Sequence, residues 1–383
     1  MSVDLSGERI AVVSRCARTL FNFRRSLIGA AQRAGAEVTA FGSAGEGFEQ
    51  RLQSQGMRFE HIPVSWRGLD PLADLMLLGT MARMFRRYRP HIVHCFTIKP
   101  AIFGTVAAWL AKVPLRVVTI TGLGHAFTTA GPLVRGVVTR LYRFALARAH
   151  VVFFQNKDDR DLFVQLGLVS AGVARLIPGS GVDLERFAPV ALPGGGRDSP
   201  RFLMIARLLR EKGVREFIEA AAAVKQRYPG AAFTLLGGAD SRNPSSLSAA
   251  EIAELRNSAA VQWVDEVLDV RQYIAAADVM VLPSYREGLP RTLLEGAAMG
   301  RALVATDAPG CREVVIPGET GYLVPVRDSA ALAQAMQTLC ECPDEIPALG
   351  RAARHMVEAI YDQRVVDAIC LHAYAERRGT SSG

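Results

Sequence analysis

The stretch LPSYREGLPRTLLEGAAMG, residues 282–300, guides the interpretation of the rest of this 383-residue chain. It continues an apolar run, residues 278–283, which predicts a buried strand. A polar loop follows at residues 284–288, and residues 289–299 are typical of a helix with Pro290 in its first turn, where a missing N–H is tolerated. This order directs free backbone N–H groups and the positive end of a helix dipole at one place. We therefore predict an anion-binding site there.

Two carboxylates flank the predicted anion site. Glu287 lies in the loop, and Glu295 follows eight positions later in the helix. A carboxylate repels phosphate but accepts hydrogen bonds from hydroxyl groups, so the combination suits a nucleotide sugar, which carries both phosphates and hydroxyls. The alternative is a pair of solvated surface charges. We favour the site because both glutamates surround a glycine loop at the carboxyl end of a strand.

The pair Glu287 and Glu295, preceded by PSYREGLPR and followed by AMGRALVATDAPGCREVV, resembles the retaining glycosyltransferases of family 4. The resemblance extends over nearly the whole chain. It is strongest to the subgroup that acts on lipid-linked sugars in bacterial capsule, O-antigen and protein-glycosylation pathways. It implies an α/β protein of the GT-B fold, with two doubly wound Rossmann-like domains facing across a cleft. It also implies a UDP-sugar donor, a polyprenyl-diphosphate-linked sugar acceptor, and neither a cofactor nor a metal ion.

Two alternations of predicted strands and helices indicate two domains. A strand at 9–14, a helix at 20–34 and a strand at 37–41 begin a doubly wound sheet, and a second alternation begins at Arg201. Between them, ALPGGGRDSP has the composition of a linker. We expect an acceptor-binding domain at 1–190, the linker at 191–200 and a nucleotide-sugar-binding domain at 201–360. The resemblance implies that a helix at 361–378 returns to the first domain. Residues 379–383 should form a disordered tail.

The segment RLLREKG, residues 207–213, predicts the diphosphate-binding element. Arg207 and Lys212 lie on a loop near a helix N-terminus, and two cations beside free N–H groups suit a diphosphate. The alternative is a solvated charged turn. The resemblance implies that Glu295 holds the ribose hydroxyls and that Glu287 contacts the donor sugar or its developing positive charge. The resemblance implies catalytic roles for Glu287, His125, Arg207 and Lys212, and nucleotide-sugar binding by Arg207, Lys212, Gly237, Val264, Glu287, Gly288, Leu289, Pro290 and Glu295.

Loops of the first domain are expected to contact the acceptor. The candidates are Arg18, Thr19, Lys99, Gly122 and Gly124. The loop after the first strand, residues 15–22, has no glycine, whereas family members often carry paired glycines there, so a specific role for this loop stays open. In related enzymes a histidine near the glycine loop that corresponds to TGLGHAF, residues 121–127, often contacts the transferring sugar. The alternative for His125 is a loop histidine bonded to a backbone carbonyl.

The amino-acid composition limits which partners the protein binds and where in the cell it is found. The net charge is +8, which favours anionic partners; we expect a membrane surface, contacted through basic segments of the first domain, rather than nucleic acid. The basic segment 132–150 has the alternative of an ordinary packed helix with a solvated face. Six scattered cysteines suggest a cytoplasmic protein, and the longest smooth apolar run, residues 101–111, is too short to span a bilayer. We expect peripheral association with the inner face of the plasma membrane.

The sequence therefore predicts a retaining glycosyltransferase that moves a hexose or N-acetylhexosamine from a UDP-sugar to a polyprenyl-diphosphate-linked saccharide. One alternative is an enzyme of the same fold that uses a soluble acceptor or epimerises a nucleotide sugar. Another is a binding subunit without activity, which is disfavoured because Arg207, Lys212, Glu287 and Glu295 are all present. The donor sugar and the linkage position stay open.

Overall fold

The chain forms two compact units in a computed structural model that describes residues 3–63, 70–123, 131–193, 200–240 and 243–376. The first unit comprises Met1–Ser180 together with Gln363–Gly383, and the second comprises Gly181–Asp362. The units divide ten residues before the predicted boundary at 190, so that residues 181–190, expected in the first domain, belong to the second unit.

The first unit is built on a seven-stranded parallel sheet with the order β3-β2-β1-β4-β5-β6-β7. The strand order reverses after β3, so the helices that follow cover the other face of the sheet, as right-handed crossovers require. The strands are β1 Arg9–Cys16, β2 Glu37–Ser43, β3 Arg58–His61, β4 Ile92–Phe96, β5 Leu115–Ile120, β6 Val151–Phe154 and β7 Ala174–Leu176. The helices are α1 Ala17–Phe23, α2 Arg25–Arg33, α3 Phe48–Gln53, α4 Pro71–Tyr88, α5 Thr105–Leu110, α6 Pro132–Leu146 and α7 Lys157–Gln165.

The second unit repeats the design with a six-stranded parallel sheet of order β10-β9-β8-β11-β12-β13. Its strands are short and almost wholly apolar, as expected when helices cover both faces. The strands are β8 Arg201–Ile205, β9 Ala232–Leu236, β10 Gln262–Val264, β11 Val279–Leu282, β12 Ala302–Thr306 and β13 Gly321–Val324. The helices are α8 Val214–Arg227, α9 Ala249–Arg256, α10 Arg271–Ala275, α11 Arg291–Ala298, α12 Ser329–Glu341 and α13 Ile346–Met356.

The last helix, α14 at Gln363–Ala375, belongs to the first unit. Cys370 and Tyr374 on this helix join the hydrophobic core beneath β1 and β4. The Tyr374 hydroxyl lies 2.7 Å from Nδ1 of the fully buried His94 on β4, and Ser26 donates a hydrogen bond to Asp367. The helix is thus an integral layer of a unit whose other elements precede it by almost two hundred residues.

Several predicted elements differ in their bounds. The predicted helix at 20–34 is two helices separated at Arg24, whose φ of −128° interrupts the helical backbone. The apolar run at residues 101–111 forms a π-helical turn, Pro100–Gly104, followed by α5. The predicted loop at 15–22 is wrong, because β1 continues to Cys16 and α1 begins at Ala17. There the Thr19 hydroxyl donates to the Cys16 carbonyl at 2.7 Å and lies 2.8 Å from the Ser14 hydroxyl.

Candidate nucleotide-sugar site in the second unit

The loops after β8 and β11 meet at the point where the strand order of the second sheet reverses. β8 pairs with β9 on one side and with β11 on the other, in register Val279 to Phe202. Crossovers leave these two neighbouring strands in opposite directions, so a crevice forms at their carboxyl ends. In open α/β sheets this switch point is where ligands bind.

Main-chain contacts join the two loops closely. A Cβ on Gly213, whose φ is +72°, would lie 2.1 Å from the Pro283 carbonyl oxygen, so only glycine fits there. The Tyr285 N–H donates to the Glu211 carbonyl at 2.9 Å, and the buried Ser284 hydroxyl donates to the same oxygen at 3.0 Å. These contacts fix the two loops against each other.

Lys212 and Glu287 form an ion pair where these loops meet. Lys212 Nζ lies 2.5 Å from Glu287 Oε1, and both side chains are largely buried. The structure thus brings together two predicted site residues that are 75 positions apart in sequence. Little solvent screens this pair, so a charge placed beside it interacts more strongly than it would at an exposed salt bridge.

The segment after β12 contacts the backbone of Glu287. The Glu287 N–H donates to the Pro309 carbonyl at 2.9 Å. Gly310 has a φ of +83°, and a Cβ there would lie 2.5 Å from the Glu287 carbonyl oxygen and 2.8 Å from that of Gly288. Our sequence reasoning gave no role to Gly310. The dipeptide Pro309-Gly310, which follows the end of β12 at Thr306 after two residues, was the available signal for a constrained turn.

Helix α11 begins at Arg291, two residues later than predicted. Pro290 is its N-cap, with φ −76° and ψ 97°, so its predicted place in the first helical turn is wrong. Proline has no side-chain acceptor, and no side chain caps the first N–H groups of this helix. Gly288 and Pro290 are buried, while Leu289 packs against the core of the unit. The loop from Glu287 onward thus leads directly to a helix N-terminus that lacks a capping side chain.

Glu295 is a buried carboxylate held by a neighbour on the same helix. Arg291 Nε donates to Glu295 Oε1 at 2.8 Å, one helical turn away. Burial raises the pKa of Glu295, while the charge and hydrogen bond of Arg291, and the charge of Arg186, oppose that rise. Arg291 was not among the predicted site residues. Its spacing of four from Glu295 was the available signal for the pair.

The remaining donor-site candidates lie along the same edge of the sheet. Arg207 follows β8 and is exposed, with Nη1 3.7 Å from Asp240 Oδ2. Gly237 follows β9 with a φ of +154°, and a Cβ there would collide with the Ala206 carbonyl at 1.9 Å. Its N–H donates to the Val264 carbonyl at 3.0 Å, which joins the ends of β9 and β10. All the predicted donor-site residues of the second unit thus lie at the carboxyl edge or on the adjoining helix.

The acceptor candidates lie on the first unit. Lys99 Nζ lies 2.6 Å from Asp74 Oδ1, both largely buried, and Arg18 pairs with Glu46 at 3.4 Å. Gly122 follows β5 with a φ of +126°. Arg18, Thr19, Lys99 and Gly122 therefore follow the neighbouring strands β1, β4 and β5. Gly124 and His125 lie outside the described residues.

Two features of the described residues concern metal ions and membranes. No group of three or more His, Cys, Asp or Glu side chains within them is arranged to hold a metal ion. None of the helices within those ranges combines the length and apolar character needed to cross a bilayer.

The comparisons with known proteins agree with this architecture. Residues 22–179 match the family described as glycosyl transferase 4-like domain, and residues 199–342 match glycosyl transferases group 1. The chain is 30% identical over 372 residues to the Campylobacter jejuni N,N'-diacetylbacillosaminyl-diphospho-undecaprenol alpha-1,3-N-acetylgalactosaminyltransferase, covering 94% of this chain and 96% of that protein. It is 26% identical over 286 residues to the Escherichia coli UDP-Gal:alpha-D-GlcNAc-diphosphoundecaprenol alpha-1,3-galactosyltransferase, covering 72% and 73%.

A solved structure shows the same fold. The crystal structure of Anabaena HepE in complex with UDP and glucose matches with a TM-score of 0.76 at 18% identity, over 96% of this chain and 99% of that one. The predicted fold class is therefore confirmed: two parallel-sheet Rossmann-like units of the GT-B type. With a relative 30% identical over nearly its full length and a family match on each unit, the chain belongs to the family 4 glycosyltransferases.

Proposed function

We propose that this protein transfers a hexose or N-acetylhexosamine from a UDP-sugar to a polyprenyl-diphosphate-linked saccharide, with retention of configuration and without a metal ion. The observation that carries the donor half is the ion pair of Lys212 and Glu287 where the loops after β8 and β11 meet, with Arg207 on the first of these loops. Two cations beside a helix N-terminus suit a diphosphate, and a largely buried carboxylate suits sugar hydroxyls.

The main barrier to transfer is the negative charge that develops on the departing diphosphate. Lys212, Arg207 and the N-terminal N–H groups of α11 would stabilise this charge, and two fixed cations supply what a metal ion supplies elsewhere. The ion pair with Glu287 would hold the Lys212 ammonium in place, so that little reorganisation accompanies the developing charge. Glu287 would accept hydrogen bonds from the sugar and stabilise positive charge at its anomeric carbon.

Retention follows from attack on the same face as the leaving group. The bond between the anomeric carbon and the diphosphate oxygen breaks, and the acceptor oxygen forms the new bond. The acceptor proton passes to an oxygen of the departing diphosphate, so UDP leaves with it. The Escherichia coli relative supports retention, because it makes an alpha linkage from UDP-Gal, and UDP-galactose is itself an alpha-linked donor.

The nucleoside would lie beyond the diphosphate, along the same edge. Glu295 would accept hydrogen bonds from the ribose hydroxyls; burial raises its pKa, and the charge and hydrogen bond of Arg291 oppose that rise. The ends of β9 and β10, at Gly237 and Val264, would contact the base through backbone groups. The second unit would thus hold the donor, and the first unit the acceptor through the carboxyl ends of β1, β4 and β5.

Two relatives support the acceptor class. The Campylobacter jejuni and Escherichia coli enzymes both act on sugars linked to diphosphoundecaprenol. We infer that this chain likewise works at the inner face of the plasma membrane, to which basic segments of its first unit attach it peripherally.

Release of UDP from a panel of UDP-sugars, with and without a bacterial polyprenyl-diphosphate-sugar extract, tests the proposal. Release from one donor that depends on the lipid is expected. Release without lipid would point to a soluble acceptor or to hydrolysis. Absence of release from every UDP-sugar would overturn the donor assignment. Arg207→Ala should abolish release while the protein stays folded, whereas Arg210→Ala, three residues away and paired with Glu251, serves as the matched control.

A further inference from the structure

The side chain of Tyr285 joins the two elements that carry Lys212 and Glu287. Tyr285 lies in the loop after β11, two residues before Glu287, and its hydroxyl donates to Glu216 Oε1 at 2.5 Å. Glu216 lies in the first turn of α8, four residues after Lys212. Our sequence reasoning gave no role to Tyr285 or Glu216. Their hydrogen bond ties together the same two chain segments that meet in the Lys212–Glu287 ion pair.

A cation from a third element lies against the ring of Tyr285. The guanidinium carbon of Arg327 is 4.6 Å from the ring centroid, which is the distance of a cation–π contact. Arg327 follows β13 and has a φ of +62°, a left-handed conformation that residues other than glycine rarely adopt. Such a conformation persists where the surrounding contacts over-determine the residue. Tyr285 thus contacts both α8 and the segment after β13.

The carboxylate of Glu216 depends on the Tyr285 hydroxyl. Its other oxygen, Oε2, is buried and has no hydrogen-bond partner among the residues that the structure describes. Burial of Tyr285, together with the hydrogen bond and charge of Glu216, raises the pKa of Tyr285 to about 12, and Arg327 opposes that rise. The hydroxyl therefore stays protonated at neutral pH and remains a donor. Its removal would leave the carboxylate without this hydrogen bond in a place with little access to water, which is unfavourable.

The Lys212–Glu287 pair is sensitive to small movements of the two segments. Lys212 ends a short 3₁₀ turn, Arg210–Lys212, and Gly213, with a φ of +72°, separates it from α8. Its ammonium stands on a flexible four-carbon stem, so the position of the charge depends on what fixes the backbone. A displacement of about 1 Å at a reacting centre can cost about a hundredfold in rate. A link between α8 and the loop of Glu287 therefore affects the reaction without touching the substrate.

We propose that Tyr285 is a positioning residue for the donor reaction: through Glu216 it fixes the loop after β11 against α8, and so sets the distance between Lys212 and Glu287. The inference rests on the proposed function, because it adds a residue to that site. The alternative is that Glu216 acts alone, as an acidic residue that stabilises the positive end of α8. In that case, removal of the Tyr285 hydroxyl would not slow the reaction.

Tyr285→Phe tests the proposal, because it removes the hydroxyl and keeps the ring. The kcat for UDP release should fall about tenfold. The Kd for UDP, measured by calorimetry, should change less than about threefold, because Arg207 and Glu295 remain to hold UDP. Tyr228→Phe is the matched control. The Tyr228 hydroxyl donates to Glu341 Oε1 at 2.8 Å at the other end of α8, so this variant loses a hydrogen bond of the same type and should keep the native kcat.

Substitutions of Glu216 separate positioning from helix stabilisation. Glu216→Gln removes the charge but keeps an acceptor for the Tyr285 hydroxyl, so kcat should stay within about threefold of the native value. Glu216→Ala should lose as much as Tyr285→Phe, and the variant with both changes should lose no more than either alone, because the two side chains act through one contact. If the charge at the start of α8 were decisive, Glu216→Gln and Glu216→Ala would lose equally.

Hydrogen exchange measures the positioning without catalysis. The Tyr285 N–H donates to the Glu211 carbonyl and the Glu287 N–H to the Pro309 carbonyl, both at 2.9 Å. In Tyr285→Phe these two amides should exchange about tenfold faster than in the native chain. In Tyr228→Phe their exchange should be native.

Four results would overturn the proposal: native kcat in Tyr285→Phe, native exchange of its loop amides, an equal fall of kcat in Tyr228→Phe, or equal losses in Glu216→Gln and Glu216→Ala. The exchange experiment also separates this proposal from the transferase assignment. If the native chain releases UDP from no UDP-sugar but the exchange responds as described, the proposed function fails, and Tyr285 still fixes the loop against α8.

Discussion

Replacement of Lys212 by methionine tests the donor site most directly. Methionine keeps much of the length of the lysine stem and removes its charge. Lys212 would serve twice: its ammonium stabilises the departing diphosphate, and it neutralises Glu287 at 2.5 Å. Loss of one charged donor at a developing anion costs about a hundredfold to a thousandfold, or about 3–4 kcal/mol. Because Glu287 is also left without its ammonium partner in a largely buried place, we expect the upper end, a loss of about a thousandfold in kcat/KM.

Two further variants divide this effect into its parts. Glu287→Gln keeps the ammonium and removes its counter-ion, so it reports the contribution of the carboxylate. The double variant Lys212→Met, Glu287→Gln should lose less than the sum of the single losses, by about 1–3 kcal/mol, because the two side chains contact each other. Arg210→Met is the matched control. It changes a cation in the same short turn, but Arg210 pairs with Glu251 at 3.6 Å and should affect kcat/KM by no more than about threefold.

The assay is initial-rate UDP release at varied donor concentration, with thermal unfolding as a check on folding. A Lys212→Met variant that keeps kcat/KM within about fivefold of the native value would refute the assignment of Lys212 to the leaving group. An equal loss in Arg210→Met would refute it too, because the effect would then be the general cationic field rather than a positioned donor.

Three other predictions concern the supports of the site and of the fold. Gly310→Ala should lower kcat/KM more than tenfold, because its Cβ would lie 2.5 Å from the Glu287 carbonyl oxygen. The control is Gly318→Ala, where φ is +75° and a Cβ would meet no atom within 4 Å; it should lose about the same 1–2 kcal/mol of stability through backbone strain but keep its activity. Equal activities of the two variants would contradict this prediction. Glu295→Gln should weaken UDP binding, measured by calorimetry, and reduce the preference for UDP over 2′-deoxy-UDP; an unchanged preference would remove the ribose assignment. His94→Gln should remove a pH dependence of the free energy of unfolding. Burial lowers the pKa of His94 well below 6.5, so the stabilisation from the neutral imidazole is complete above that pH and is lost as pH falls below it, by about 1.4 kcal/mol between about pH 7.5 and about pH 5.5. Urea unfolding measures this loss, and a native-like slope in the variant would contradict the prediction.

Local pattern was sufficient to predict much of the fold and of the candidate site. Short apolar runs such as Val279–Leu282 predicted buried parallel strands, and the residues directly after them predicted where a ligand would bind. The boundaries were less predictable. Proline is common in the first helical turn, so Pro290 was expected there, yet its ψ of 97° makes it the N-cap. Helix ends depend on one residue's backbone angles, which neighbouring contacts decide.

Contacts between distant residues could not be predicted from the pattern. The resemblance implied roles for Lys212 and Glu287 separately, but their ion pair depends on how the loops after β8 and β11 pack, and that packing depends on Gly213 against Pro283. Lys99 was predicted to contact the acceptor, and no pattern indicated that its ammonium pairs with Asp74 on α4. Charged side chains find partners across the fold, and sequence spacing gives no information on such partners beyond one helical turn.

The position of α14 has a consequence for how the protein is made. The ribosome completes every strand of the first sheet, and then the whole second unit, before it releases the helix that carries Tyr374 and Cys370. Until then, the part of the apolar surface beneath β1 and β4 that α14 covers stays exposed, and His94 lacks its hydrogen bond to Tyr374. The unit that is synthesised first therefore completes its core last, and its nascent form exposes an aggregation-prone apolar surface while translation continues.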